Sequence, residues 1–392
     1  MDVTGLRIAL FSGNYNYIRD GANQALNRLV EYLLRQGAAV RIYSPTVENP
    51  AFPPNGDLID VPALPFPGRS EYKFTLGLPW SARRDLKAFA PNIVHVASPD
   101  LLGHSAVSFA HRLKLPVVAS VHTRFETYPR YYGLAFLEPV VLAILRRFYR
   151  RCDAIFAPSE SMAQLLREQR MNYDVGIWSR GIDRTIFTPE ARDTDWRRSL
   201  GIADDEPVIG FVGRLVMEKG LDVFSDTIDC LDQQQVRHKV LVVGEGPARE
   251  WFERRLPNGV FVGFQGGKDL GRAVASMDML FNPSVTETFG NVTLEAMAAG
   301  LPVVAAIATG SASLVREGAT GRLIPAGAIE DFAEALAHYC RNPEARASAG
   351  KAGWERSRRN GWDEVNQALV DGYIRVIRQH AGGLRTPRSP VP

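Results

Sequence analysis

Little in this chain points to a metal, a disulfide framework or a membrane span. Three cysteines occur among 392 residues, Cys152, Cys230 and Cys340, too far apart for a disulfide framework or a metal knuckle. A reducing compartment fits that usage. The seven histidines make no ligand pattern with cysteine or carboxylate. Asp193-Thr-Asp195 has the spacing of a metal-binding acid pair, but it lies in a hydrophilic stretch where solvated charge is the simpler reading. No Gly-x-Gly-x-x-Gly fingerprint follows the first strand-like segment, which argues against a nicotinamide oxidoreductase. The most apolar later stretch, Leu134 to Leu145, is broken by Glu138 and Pro139 and is too short to cross a bilayer. The opening Met1-Asp-Val-Thr-Gly-Leu-Arg7 runs straight into a strand-like segment without the leader of an export signal, so a cytoplasmic location is expected. A net charge of +3 is too small to argue for nucleic acid, although it leaves an anionic membrane surface open.

What is present is a repeated α/β pattern. The length exceeds one comfortable core, and short β-branched runs alternate with helical periodicity, the mark of parallel sheets covered on both faces. In the first half the strand candidates are Leu6–Phe11, Ala39–Ser44, Asn92–Ala97, Val117–Val121, Ala154–Ala157 and Val175–Trp178. The pattern restarts at Pro207–Val212 and continues with Lys239–Val243, Gly259–Val262, Met279–Asn282, Pro302–Ala305 and Gly321–Pro325. The hydrophilic stretch from Gly181 through Asp205 reads as a connector. This predicts two doubly wound Rossmann-like domains, 1–185 and 186–360. A helix follows over 361–380, striped with Trp362, Val365, Leu369, Tyr373 and Val376, and 381–392 is a disordered tail. Ligands of such sheets sit beyond the C-terminal strand ends, so two domains facing each other predict a cleft.

The candidate chemistry falls on those strand ends. Glu287-Thr-Phe-Gly-Asn-Val-Thr-Leu-Glu295 follows an apolar run and leads into a helix whose free N–H groups attract phosphate. If all eight steps were helical, the two glutamates would stand about 12 Å apart, roughly the span from a sugar across a diphosphate to a ribose. Arg214 and Lys219 lie in Phe211-Val-Gly-Arg-Leu-Val-Met-Glu-Lys-Gly220, also at a helix start, where unpaired cations are unfavourable unless an anion joins them. Gly13 and Gly21, and Gly244 with Glu245 in Val243-Gly-Glu-Gly-Pro247, can bring backbone close to a ligand. One loop carries His122, Thr123, Arg124 and Tyr128. Farther on, Arg146, Arg147, Arg150 and Arg151 end an apolar helix, suited either to the helix dipole or to anionic lipid.

The Gly-Arg-x-x-x-x-Lys-Gly loop, the Gly-Glu-Gly-Pro turn and the two glutamates together resemble retaining GT-B glycosyltransferases of family four, over nearly the whole chain. The resemblance implies two Rossmann-like domains, an N-terminal acceptor domain and a C-terminal donor domain, with the last helix crossing back to the first. It gives Arg214 and Lys219 to the diphosphate, Glu295 to the ribose and Glu287 to the donor hexose. Backbone of Phe289, Gly290 and Asn291 would face sugar and phosphate, His122 would lie beside the sugar, and Gly13 and Gly21 would form the glycine loop. No metal or other cofactor is implied. Val121-His-Thr-Arg-Phe-Glu-Thr-Tyr-Pro-Arg-Tyr-Tyr132 and Trp178-Ser-Arg-Gly-Ile-Asp183 look most like bacterial and plastid lipid glycosyltransferases, including sulfoquinovosyl-diacylglycerol synthases and GDP-mannose-dependent mannosyltransferases. The expected partners are therefore a nucleoside diphosphate sugar and a lipid acceptor such as diacylglycerol, met at the inner face of the membrane through Arg124, Tyr128, Tyr132 and the four helix arginines. Rival readings are a soluble sugar or polysaccharide acceptor, a nucleotide-sugar epimerase, and a two-domain binding protein without chemistry.

Overall fold

The computed structural model describes residues 2–18, 21–66, 69–127 and 134–383. Tyr128, Tyr132 and the tail beyond Gly383 lie outside them. The chain divides into two compact units, Met1–Arg180 with Trp362–Pro392, and Gly181–Gly361.

In the first unit the chain runs β1 (Arg7–Phe11), α1 (Gly21–Arg35), β2 (Ala39–Ser44) and β3 (Asp57–Asp60). A small hairpin, β4 (Ala63–Phe66) and β5 (Arg69–Thr75), then leads to α2 (Trp80–Phe89), β6 (Ile93–Val96) and α3 (Leu101–Arg112). After β7 (Val117–Ser120) come α4 (Glu138–Tyr149), β8 (Ala154–Ala157), α5 (Glu160–Glu168) and β9 (Val175–Ile177). The seven-stranded sheet has the order β3-β2-β1-β6-β7-β8-β9, and all its pairs are parallel. Ile93–Val96 and Ala154–Ala157 are buried throughout, which is why the second reads as an unbroken apolar run and the first is broken only by His95.

The second unit contains α6 (Thr194–Ser199), β10 (Val208–Val212), α7 (Leu221–Gln233), β11 (Lys239–Val243), α8 (Arg249–Arg255) and β12 (Val260–Phe261). It continues with α9 (Gly267–Ala275), β13 (Met279–Asn282), α10 (Asn291–Ala298), β14 (Val303–Ala306) and α11 (Thr309–Leu314). It closes with β15 (Gly321–Ile324), α12 (Ile329–Arg341) and α13 (Pro343–Ser357). Its six parallel strands are ordered β12-β11-β10-β13-β14-β15. Each sheet carries one apolar cluster on each face.

The last helix, α14 (Trp362–Ala381), belongs to the first unit. Val365, Leu369, Val370, Tyr373 and Val376 pack with α1 residues Ala25, Leu29 and Leu33 in one cluster. Trp178 Nε1 donates to Asn366 Oδ1 at 3.2 Å, and Arg375 pairs with Asp174. Ala381 is helical, one residue beyond the expected end of this helix.

The stretch from Gly181 to Asp205 is not a solvated connector. Ile182, Phe187 and Ile202 are buried in the second unit's core. Arg197 is 0% exposed and donates to Asp278 Oδ2 at 2.9 Å, Ser276 O at 2.9 Å and Glu206 O at 2.8 Å. Asp193 caps α6 by accepting from the Trp196 N–H, and Asp195 pairs with Arg198. A charge-rich segment looked solvated because nothing in its local sequence announces that Asp278 will meet one of its arginines.

Candidate active site

In the second unit the strand order reverses between β10 and β13, the position where open α/β sheets take ligands. Two helices begin there. The N-cap of α7 is Gly220 (φ 73°) and that of α10 is Gly290 (φ 92°), and neither cap offers a side-chain hydrogen bond to the first N–H groups. These orphan donors and the aligned helix dipoles favour an anion. A left-handed glycine suits both caps, because a side chain there would be strained.

Arg214 follows β10, is exposed and makes no ion pair among the described residues. Lys219 differs from the expectation of an unpaired cation: its Nζ lies 2.7 Å from Glu287 Oε1, with both side chains largely shielded from water. Glu287 is itself held in place from α11, where Thr309 Oγ1 and the Gly310 N–H donate to its carbonyl at 2.7 and 2.9 Å. Because α10 starts only at Asn291, half of the span between the glutamates is loop, and the helical estimate of their separation does not hold. Glu295, one turn into α10, is half-buried, and burial followed by the charge of Glu287 pushes its pKa up to about 7. Phe289 is buried in the core, while Asn291 is half-buried at the helix start.

The Gly-Glu-Gly turn is built against the Arg214 loop. A Cβ on Gly244 (φ 142°) would stand 1.9 Å from Gly213 O. Glu245 is exposed and pairs with Arg249, and its carbonyl accepts from the Leu215 N–H at 2.9 Å. The turn therefore shapes the cation-bearing loop as well as offering its own backbone.

In the first unit Gly13 leaves β1 so close to Asp100 that a Cβ would meet its Oδ2 at 2.1 Å, and its N–H donates to Ser98 Oγ at 3.1 Å. Gly21 is the first residue of α1. His122 follows β7, half-buried, with Nδ1 2.8 Å from Arg180 Nη2 and Nε2 2.8 Å from Ser120 Oγ. Burial and the Arg180 charge hold its pKa well below the ordinary histidine range.

Comparison with known proteins bears directly on this arrangement. The model of Glycosyltransferase Family 4 matches residues 19–185, and that of Glycosyl transferases group 1 matches residues 206–342. A GDP-mannose-dependent alpha-mannosyltransferase of Mycobacterium tuberculosis is 32% identical over 88% of this chain and 91% of that protein. The chain belongs to glycosyltransferase family 4. A sulfoquinovosyl transferase of Arabidopsis thaliana is 30% identical to this family 4 enzyme over 91% of this chain and 71% of that protein. The solved structure of sucrose-phosphate synthase from Thermosynechococcus elongatus matches with a TM-score of 0.76 at 20% identity, over 95% of this chain and 99% of that one. The fold of the family 4 enzyme is thus GT-B, built of two Rossmann-like domains.

The residues expected to serve an acceptor or a membrane are placed unevenly in this glycosyltransferase. Arg124 is tied to buried Glu126 at 2.9 Å. Arg146 Nε donates to Gln169 O at 3.0 Å, Arg150 Nε to Arg170 O at 3.0 Å, and Arg151 Nη2 to Ser108 Oγ at 2.7 Å. Arg147 is exposed, with no hydrogen bond or ion pair among the described residues. The apolar residues leading up to these arginines, read in the sequence as a stretch too short to cross a bilayer, are in part exposed. Leu134, Phe136 (72% exposed), Leu137, Val140 and Ile144 (53% exposed) face solvent. The N-cap residue Leu137 and the α4 residues Val140, Ile144 and Arg147 follow helical spacing along one stripe. No described helix is long and apolar enough to cross a membrane.

Proposed function

We propose that this family 4 enzyme is a retaining hexosyltransferase that moves a hexose from a nucleoside diphosphate sugar to a hydroxyl of a membrane lipid such as diacylglycerol. The observation that carries the reading is the meeting, at one sheet's reversal point, of two uncapped helix starts with Arg214 and the Lys219–Glu287 pair. Arg214, Lys219 and the N–H groups of α7 and α10 would hold the diphosphate, Glu287 the hexose hydroxyls and Glu295 the ribose. In the second unit Gly244, Glu245, Gly290 and Asn291 would shape that donor site; in the first unit Gly13 and Gly21 would form a glycine loop and His122 would serve the sugar.

The anomeric carbon–oxygen bond breaks as the nucleoside diphosphate leaves, and the acceptor oxygen bonds to that carbon on the same face. The acceptor proton passes to the departing phosphate oxygen, so no protein general base is needed. Positive helix ends and cations aimed at the leaving group lower the barrier in the way an oxyanion hole does, which is why this reading needs no metal.

What supports the lipid acceptor is the exposed stripe of α4, an apolar face ending in Arg147, suited to lying in a headgroup layer with its cation toward anionic lipid. On this reading the enzyme would work in the cytoplasm, peripherally on the inner face of the membrane. The test is incubation with UDP-, GDP- and ADP-sugars plus total bacterial lipid, with products identified by mass. A glycolipid is expected. A sugar that stays on its nucleotide would mark an epimerase, and turnover indifferent to vesicles would mark a soluble acceptor.

A further inference from the structure

The ring of His122 is held at both nitrogens, and the partners decide which one carries the proton. A guanidinium offers only donors, so Nδ1, 2.8 Å from Arg180 Nη2, must accept. In a neutral ring the proton then sits on Nε2, which donates to Ser120 Oγ at 2.8 Å. The hydroxyl proton of Ser120 is left for His95 Nε2, 2.8 Å away. His95 must accept there, so its own proton is on Nδ1 and is donated to Tyr373 Oη at 2.6 Å. His95 and Tyr373 are both fully buried, and the edges of both histidine rings meet Trp178, with centroids 5.6 and 5.9 Å apart. Every hydroxyl and imidazole in this chain could run either way alone. Only Arg180 cannot.

We propose that Arg180 is a positioning residue that locks His122 as the neutral Nε2–H tautomer, and that through Ser120 the same lock sets His95 with its proton on Nδ1. Its catalytic meaning rests on the function proposed above, whereas the tautomers themselves do not. His122 then serves the sugar as an oriented, uncharged ring. Among the described residues, the charged or titratable groups facing it include Arg180, whose cation opposes protonation, and His95, which is kept neutral by burial with a pKa pushed down to about 3. Arg180 lies in Trp178-Ser-Arg-Gly-Ile-Asp183, a segment that marked the resemblance without showing what its arginine does.

The experiment is a two-bond ¹⁵N–¹H correlation on full-length protein labelled at its seven histidines, with assignment by single substitution and titration between about pH 5 and 8. In the wild type, His122 is expected as Nε2–H and His95 as Nδ1–H, neither titrating. Arg180→Met should release both, whereas Arg180→Lys, still a pure donor, should keep them. Ser120→Ala should release His95 and leave His122 unchanged, and Tyr373→Phe should leave His122 unchanged. In turnover, Arg180→Met should lower kcat by about tenfold or more and add an acidic limb to the pH profile, with Arg180→Lys restoring both. A wild-type His122 that is charged or Nδ1–H at pH near 7, or an Arg180→Met variant that keeps a single Nε2–H form, overturns the lock. Wild-type kcat and pH profile in Arg180→Met overturn the positioning role. Locked tautomers in a protein that transfers no sugar would uphold the lock and refute the function.

Discussion

Replacing Glu295 by Gln is expected to stabilise the ligand-free enzyme in a strictly pH-dependent way. In the folded chain the pKa of Glu295 stands at about 7 against 4.5 for an ordinary glutamate. The native state therefore holds this proton more tightly than the unfolded state does. As pH rises from 4.5 toward 7 the unfolded chain releases the proton first, and the native state loses stability through that window. At about 1.4 kcal/mol per unit, the full penalty above pH 7 is about 3 kcal/mol, most of it from burial and the rest from the nearby charge of Glu287. Gln cannot ionise, so the variant should match the wild type below pH 4.5 and exceed it by up to that amount at pH 8. Urea denaturation across the pH range, read as the difference between the two proteins, is the assay. Equal differences at pH 5 and pH 8 would sink the argument. Its functional counterpart is proton release on nucleotide binding, since the ionised acid accepts from ribose hydroxyls at both oxygens and more strongly than the neutral acid does. Calorimetry near pH 6 in buffers of different ionisation enthalpy should show it in the wild type and not in the variant.

Lys219→Ala should lower transfer by roughly 10²–10³-fold, the usual cost of deleting one group that stabilises leaving charge. Its stability should change by less than about 1 kcal/mol, because the Lys219–Glu287 pair is still partly wet; unfolding curves measured alongside rates separate the two effects. Arg197→Ala should destabilise the second unit by about 3 kcal/mol or more in chemical denaturation, since it strips a buried partner from Asp278 and leaves two carbonyls without their donor. Phe136→Asp combined with Ile144→Asp should weaken binding to anionic vesicles by at least about tenfold in sedimentation, each lost apolar side chain contributing about 1.5–3 kcal/mol when buried. Undiminished binding would remove the α4 stripe from the membrane reading.

The central strands of both sheets were legible because burial on both faces leaves continuous apolar runs such as Val117–Ala119 and Val240–Val243. Edge strands β9, β12 and β15 were legible too, whereas β3 and the β4–β5 hairpin were not. In β3 two acids flank Leu58 and Ile59, and the β4–β5 hairpin exposes Leu64 and Phe74, so neither carries a burial signal. The glutamates and cations proposed for the donor stood out in the sequence by their place beside glycines at strand ends. Their pairing was not, because Lys219 and Glu287 are 68 residues apart and meet only through the parallel order of the strands. The same holds for Arg180 and His122, 58 residues apart. Arg197 was misread for a related reason: in a run of alternating charges, one arginine that folds inward has the same local signature as those that stay outside.

The return of α14 to the first unit makes the second unit an insertion. Its two ends are stitched together, with the Ile182 N–H donating to Asn360 O at 2.8 Å and Ile182 bridged to Gly361. During synthesis, the inserted body has all its own contacts before the final helix emerges, while the body begun first still lacks the cover for Phe156 and Trp178. The earliest part of the chain is thus the last to mature, and a stop codon within the final twenty helical residues would harm the opening half of the protein more than the half that immediately precedes it.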